Sequence, residues 1–477
     1  MPPAPVALSP EWWRDRLYKQ LLDRQKTLER WDSYYCGDHP LPWLPSQAKD
    51  EFRRILRMSR SNYMGLVVDA TAERLQIDGF RFVLDLDQPA ADLGVEADPE
   101  GTDAEAWRIW QANDLDAEAD AGLLEAVMLG SSYTLVAPDP ADPTTPLVTF
   151  EHPSQAIVEY EPGSRRRRRA GLKAWRDDWS GRLFATLFEG GWVWKWSAAW
   201  RDGVPVEALR WEERQPDGEQ WPAPNPLGEV PLVEWPNRRR MLGGGVSEIA
   251  DVTDAQDRIN KTLADRLMTQ DFGAFPQKWA TGVDLDAKFH AGRNRMFQSE
   301  AVDAKFGDFT TAPIDPYSKA KVEDVKDIAS RTRTPSQYLL GEMLNISGEA
   351  MKAAESGLVA KVQQRQRPYS EAAETTMRLA FRAIGDDRRA QATSAETVWR
   401  NPEFRTEGEL VDALTKMATL GVPQEALWER WGATPQERAR WRRMRDDAVT
   451  RAGAGDLAAI IAGTERAGVP GGFVPGV

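Results

Sequence analysis

The chain has a single cysteine, Cys36, in 477 residues, so it can form no intrachain disulfide and suits a reducing interior. Its three histidines, His39, His152 and His290, stand far apart. No second Cys or His sits at ligand spacing, which argues against metal at Cys36, Asp38 and His39. No run of about eighteen apolar residues occurs, so no membrane span is expected. Met1 to Pro10 lacks the basic and apolar blocks of a signal peptide. Positive charge is scarce: 61 Lys and Arg stand against 74 Asp and Glu, a net charge of −13. Proteins that grip nucleic acid over a broad surface are usually basic, so any DNA contact here should be local, weak or sliding. There is no G-x-x-x-x-G-K-[ST]. Gly243 to Gly245 lacks the following Lys that a phosphate cradle needs, and no cofactor is expected. G-x-S-x-G, H-E-x-x-H and a repeat of fixed period are also missing. Carboxylates are plentiful enough for a two-metal nuclease, but no pair is marked as one.

What is present is an ordinary soluble balance, 41% hydrophobic and 28% charged. The length predicts about two to four structural units. Tryptophan is abundant, 20 in all. Large rings anchor cores and interfaces, which is compatible with an assembly.

The stretch from Gly243 to Arg333 organises the chain. Ser247 and Glu248 read as the cap and first turn of a helix running to Gln270, about 36 Å long. Ile249, Val252, Ile259, Leu263 and Leu267 make its apolar stripe. Phe275-Pro276 stops it. A non-helical insertion follows through Trp279, Gly282, Phe297 and Phe309. Asp315-Pro316 restarts a helix, striped by Val322, Val325 and Ile328 and closed by Thr334-Pro335. Both helices are polar with one narrow stripe. Such helices lie against a neighbour or bundle with copies of themselves. Two surface helices of a globular α/β domain would read the same way.

Elsewhere, Ser9-Pro10-Glu11 opens a helix to about Tyr35, which stops at a Gly/Pro turn. Helices are expected from about Asn62 to Leu75, Asp103 to Ala112 and Ala117 to Gly130. Strands are expected at Ile77 to Val83 and Ser131 to Ala137. Pro138 to Trp235 reads as strands and hairpins, with Arg165 to Arg169 in one turn as a solvated or phosphate-facing run. Glu349 to Ile384 reads as a long helix interrupted by Pro368, with a kink near Arg365 to Tyr369. A strand at Glu396 to Trp399 precedes capped helices from Thr406, Pro423 and Thr434, the last to about Val449. The tail after Ala467 reads as disordered.

Several stretches together resemble the portal proteins of tailed double-stranded DNA bacteriophages of the siphophage type. They are Tyr34-Tyr35-Cys36-Gly37-Asp38-His39, Val67 to Phe80, Trp107 to Leu115, and Gly130-Ser131-Ser132-Tyr133. Gly228 to Val233, Gly245-Val246-Ser247-Glu248-Ile249, Gln256-Asp257-Arg258-Ile259-Asn260-Lys261 and Phe275 to Gly282 follow. Thr334-Pro335, Gly341 and Ser347 to Ala350 complete the set. None is specific alone; their order and spacing, from about Leu17 to Phe381, carry the resemblance.

The resemblance implies an α+β subunit of a ring, usually of twelve copies, at one capsid vertex with DNA passing along its axis. It implies a mixed wing (1–240), stem helices (241–270 and 316–333) and a small α/β clip between them (271–315). A tunnel loop and long wing helix (334–400), a helical crown (401–451) and a flexible tail (452–477) complete the subunit. Glu342, Met343, Leu344, Asn345, Ile346 and Ser347 would face the DNA channel. Ile249, Val252, Asp254, Ile259, Leu263, Val322 and Val325 would line a stem face towards neighbours or channel. Phe275, Lys278, Trp279, Arg293, Arg295 and Phe297 would dock the terminase large subunit and the head-tail adaptor. Major capsid and scaffolding proteins are further implied partners, and no membrane is. The protein would reside in the virion after assembly in the host cytoplasm. An inner wall richer in acids than bases is expected, with Asp251, Asp254, Asp257, Glu323, Asp324 and Asp327 as candidates, because bound Lys and Arg would hold phosphates. The rival readings are a capsid-associated adaptor without a channel and a metal-dependent nuclease.

Overall fold

A computed structural model describes residues 6–43, 49–82, 103–200, 209–216, 218, 220–274, 278–282, 302–310, 312–341, 348–403, 407–433 and 435–466. The N-terminal part runs α1 (Pro10–Tyr35), α2 (Lys49–Met58), α3 (Met64–Ala72), β1 (Ile77–Phe82), α4 (Ala104–Ala112) and α5 (Leu115–Leu129). Strands follow: β2 (Ser131–Ala137), β3 (Leu147–Glu151), β4 (Ala156–Tyr160), β5 (Arg168–Asp177), β6 (Arg182–Glu189), β7 (Trp192–Ala199), β8 (Trp211–Glu213), β9 (Ala223–Pro224) and β10 (Leu232–Pro236). Next come α6 (Thr253–Ala274), β11 (Lys278–Thr281), β12 (Lys305–Asp308), α7 (Asp315–Thr332), α8 (Ser336–Leu340) and α9 (Gly348–Ala383). The chain continues through α10 (Asp387–Ala390), β13 (Ala395–Trp399), α11 (Glu407–Thr419), α12 (Gln424–Trp431) and α13 (Pro435–Arg466).

Two main cores result. In one, α1 lies on the antiparallel sheet β4-β5-β6-β7-β8, with β9 beside β7. Ser9 accepts from the Trp12 amide at 3.2 Å and Pro10 occupies the first turn, which fixes where α1 starts. Trp13, Leu17 and Leu21 then fall at helical steps and pack on Leu172, Ala174, Leu183, Ala185 and Leu187, which alternate along their strands. The larger core joins α3, α4, α5, the roots of α6 and α7, and α9. The sheet β10-β2-β3 closes one side of it, and Phe150 meets Trp235 at 5.1 Å. β1 pairs antiparallel with β13, Phe80 opposite Thr397, tying two distant parts of the sequence together.

Several expectations need correction. α6 starts at Thr253, not Ser247: residues 248–252 form turns, and Ser247, Glu248 and Ile249 are buried there. Ser247 still accepts from an amide, that of Ile249 at 3.2 Å. α7 begins one residue early, at Asp315, so its cap is Ile314. α9 runs unbroken through Pro368, with Tyr369 and Ala373 buried directly after it. Packing on both sides holds the ladder where the ring removes one donor. α13 continues to Arg466, well past Val449, and α2 was not anticipated. Arg168 and Arg169 belong to β5 and are paired, with Glu229 at 2.5 Å and Glu189 at 2.6 Å. The tail after residue 466 lies outside the described residues.

Candidate functional site

The elements converge on the root of the α6–α7 pair. α5 ends at Gly130, whose φ of +97° suits glycine. Its carbonyl accepts from the Asn237 amide at 2.8 Å. A Cβ on Gly245 would sit 1.7 Å from the same oxygen. The last of the three glycines is therefore required by a crossing of two backbones, not by phosphate. Val246 N donates to the Asn237 carbonyl at 2.8 Å, and Glu248 N donates to the Val127 carbonyl at 3.0 Å.

This braid delivers Glu248 into the core. Its Oε1 accepts from Arg365 Nε at 2.6 Å and from Asn237 Nδ2 at 3.1 Å. The Glu248 and Arg365 side chains are only 4% and 6% exposed, so water cannot replace either partner. Tyr369 donates to Asn237 Oδ1 at 3.1 Å, and burial raises its pKa well above the ordinary tyrosine range. Lys361 donates to the Thr332 carbonyl at the end of α7 at 2.9 Å. Burial lowers the Lys361 pKa to about 8, the field of Glu248 opposing the shift. Burial likewise pushes the Glu248 carboxyl up, but Arg365 and Lys361 outweigh it and hold it below its usual value. The roots of both helices are thus fastened to α9 by charge-assisted hydrogen bonds.

A second collar sits farther along α6. Gln256 accepts from Tyr63 N at 2.9 Å and donates to the Ser61 carbonyl at 2.7 Å. Asn260 accepts from Ser61 N at 2.9 Å and contacts His39 Nε2. Tyr34 stacks on His39 at 5.2 Å and donates to Asp257 at 2.9 Å. Burial first, and Asp257 second, push the Tyr34 hydroxyl up to about 12. Burial, with Arg60 nearby, keeps His39 below the ordinary histidine range. The turn after α1 is therefore locked to α6. Arg258 then crosses to α7, reaching Asp324 at 2.9 Å and Asp327 at 3.3 Å. Thr269 meets Tyr317 at 3.5 Å, so the two helices run antiparallel.

These contacts join the stretches that carried the resemblance: Tyr34 to His39 meets Gln256 to Lys261, and Gly130 meets Gly245 to Ile249. A family model described as phage portal protein, SPP1 Gp6-like, matches residues 15–450. The chain belongs to that family. It is 30% identical to the portal protein of Mycobacterium phage D29, over 94% of this chain and 91% of the relative. It is 29% identical to the portal protein of Mycobacterium phage L5, over 94% and 90%. The mixed helix-and-sheet fold agrees with a portal subunit, and the family is a structural one rather than a known enzyme family.

Among the portal residues expected from sequence, Ile249, Val252, Ile259 and Val325 are 0% exposed. They belong to the chain's own core, with no side-chain surface exposed in the single chain. The stripe is apolar as expected, and α6 packs chiefly on α7 within the larger core. Leu263 and Val322 are half-buried, and Asp254 is exposed. Of the six candidate wall acids, Asp251, Asp257, Asp324 and Asp327 are engaged by Arg238, Tyr34 and Arg258. Asp254 and Glu323 are exposed and unpaired among the described residues. At the far end of the helix pair, β11 and β12 form a hairpin with Trp279 opposite Gly307. A Cβ on Gly307 would lie 2.5 Å from the Trp279 ring, so the indole covers the glycine. Trp279 remains 37% exposed; Phe306, opposite Ala280 on the paired strand, and Phe309, just after that strand, are also exposed. Lys278 opens β11. Phe275, Arg293, Arg295 and Phe297, and the tunnel-loop residues 342–347, lie outside the described residues. Among the described residues no group of three His, Cys, Asp or Glu side chains is placed to hold a metal ion, and no helix is long and apolar enough to cross a membrane.

Sequence reasoning missed Arg365, Lys361 and Asn237. The available signal was charge at Lys361 and Arg365, one helical turn apart within a helix that otherwise reads as amphipathic.

Proposed function

We propose that this chain forms a ring, of about twelve copies by family analogy, whose axis conducts double-stranded DNA into and out of the capsid. The antiparallel pair α6–α7 is the stem, residues 1–240 with α9 the wing, residues 271–315 the clip, and α11 to α13 the crown. What carries this reading is the rod itself: a polar helix pair, rooted in a buried network and capped by a hairpin with exposed aromatic rings. A rod fixed so firmly at one end positions its tip, and exposed Trp and Phe at that tip suit protein docking. The tip is where the terminase large subunit and then the head-tail adaptor would bind, through Trp279, Phe306 and Phe309. Asp254 and Glu323 are the acids left free to face a channel, where negative charge lets phosphates slide. The tunnel loop, 342–347, would approach the DNA. The ring would sit at one vertex of the virion, among major capsid and scaffolding proteins, after assembly in host cytoplasm.

Capsids assembled without this chain should remain empty, and supplying it should restore filling. Filled capsids in its absence would sink the proposal. Trp279→Ala should leave rings intact and abolish terminase-dependent filling; a full yield of filled heads would remove the hairpin from the docking role.

A further inference from the structure

The run from Arg438 to Arg445 holds five arginines in eight residues of a chain whose net charge is −13. The helical period divides α13 into two faces. Arg438, Trp441 and Arg445 turn inward: Arg438 pairs with Glu429 at 3.6 Å, Trp441 meets Trp428 at 5.5 Å, and Arg445 pairs with Glu425. Arg440, Arg443 and, two turns on, Arg451 are exposed and unpaired among the described residues. Two exposed acids, Glu437 and Asp447, lie on or beside that face. A shallow groove along it is lined by Gln436, Ala439, Arg440, Arg443, Met444 and Asp447.

We propose that this outward face binds the phosphate backbone of duplex DNA. The inward arginines are consumed in folding and the outward ones are not, although each unpaired guanidinium presents a fork of donors matched to phosphate. Arg440 to Arg451 spans about 17 Å of helix, opposite about ten backbone charges of duplex. The contact is local, as the acidic balance of the rest of the chain requires. It carries no base specificity, because backbone contacts position a duplex without reading it. The inference rests on the portal reading but adds a holding contact on the crown, distinct from an acidic channel that lets DNA slide.

The test uses the purified full chain and a fluorescently labelled 30-base-pair duplex, titrated by anisotropy at several salt concentrations. R440Q/R443Q/R451Q should flatten the slope of log K against log salt by about 2.7 for each protomer in contact. Equivalently, the loss of affinity between 50 and 200 mM salt should shrink about forty-fold. D447N should tighten binding. Unchanged affinity and slope in the triple variant, or no binding by the parent chain at 50 mM salt, overturns the proposal. So does a triple variant that loses ring assembly while each remaining ring binds DNA normally; the face would then belong to a neighbouring copy. If the parent chain forms no rings, the portal reading fails first, and a salt slope that still falls in the variant would leave the phosphate face standing alone.

Discussion

Replacing Arg365 with methionine should loosen the root of the α6–α7 pair more than any surface change. The guanidinium donates to Glu248 Oε1 at 2.6 Å inside a site where both side chains are almost fully buried. Its removal leaves Glu248 with Asn237 Nδ2 at 3.1 Å and the field of Lys361. Breaking one partner from such a pair typically costs about 3–5 kcal/mol, because an uncompensated charge stays buried. Hydrogen exchange followed by mass spectrometry reads this locally, which suits a chain too large for a single two-state transition. Amides of residues 355–370 and 253–260 should exchange about 150 to 4,000 times faster after correction for intrinsic rates. The pH dependence gives a second reading. In the parent chain the folded Glu248 pKa is depressed, so the folded state binds fewer protons. Its contribution is present above the unfolded carboxylate value and is lost as pH falls through the folded one. Without Arg365, burial dominates and raises the folded pKa, so the variant gains stability as pH falls towards 5. The difference between parent and variant should therefore be largest near pH 7 to 8 and shrink on acidification. A cost below about 1 kcal/mol with no pH dependence would show that the pair does not anchor the rod. The double variant E248M/R365M should recover most of the loss, since apolar replacement of a whole buried pair is often neutral.

Other expectations follow from the same contacts. K361M should remove a pH-dependent component: the folded Lys361 pKa of about 8 lies below the unfolded 10.5, so parent stability rises as pH climbs from 8 to 10.5, and exchange rates across α9 should show that rise only in the parent. G245A places a methyl 1.7 Å from the Gly130 carbonyl, so thermal melting should drop and soluble yield fall, by about 2–3 kcal/mol or more. N260L removes the acceptor for Ser61 and the partner of His39, which should cost about 1–3 kcal/mol in chemical denaturation followed by tryptophan fluorescence. D254K/E323K should slow DNA filling of capsids without changing ring yield; unchanged filling would show that the free stem acids do not smooth passage.

Where local chemistry decides an element, the amino-acid order announced it. Ser9-Pro10 starts α1, Asp103 caps α4 by accepting from the Glu105 and Ala106 amides, and Gly130 and Gly432 end their helices in the left-handed region. Where a distant partner decides, it did not. Glu248 reads as a first-turn acid next to a capping serine, yet its partner lies in α9, and residues 247–252 stand outside the helix. The stripe Ile249, Val252, Ile259 and Val325 was visible as apolar, but periodicity cannot say whether its cover is another copy or the same chain. The resemblance named the stretches; the structure supplies their reason, since Gln256, Asp257 and Asn260 are the residues that grip Tyr34, Ser61 and His39. Arg440 and Arg443 fall within the helix expected from Thr434 to Val449; only Arg451 joins their face because α13 continues beyond it.

Electron imaging of the purified full-length chain, with particle mass measured on the same sample, puts the assembly itself on trial. Closed rings with an axial hole wide enough for duplex DNA, whatever their subunit number, are the expected result. Compact single chains at every concentration tried, alone and in the presence of capsid and scaffolding proteins, would contradict the account.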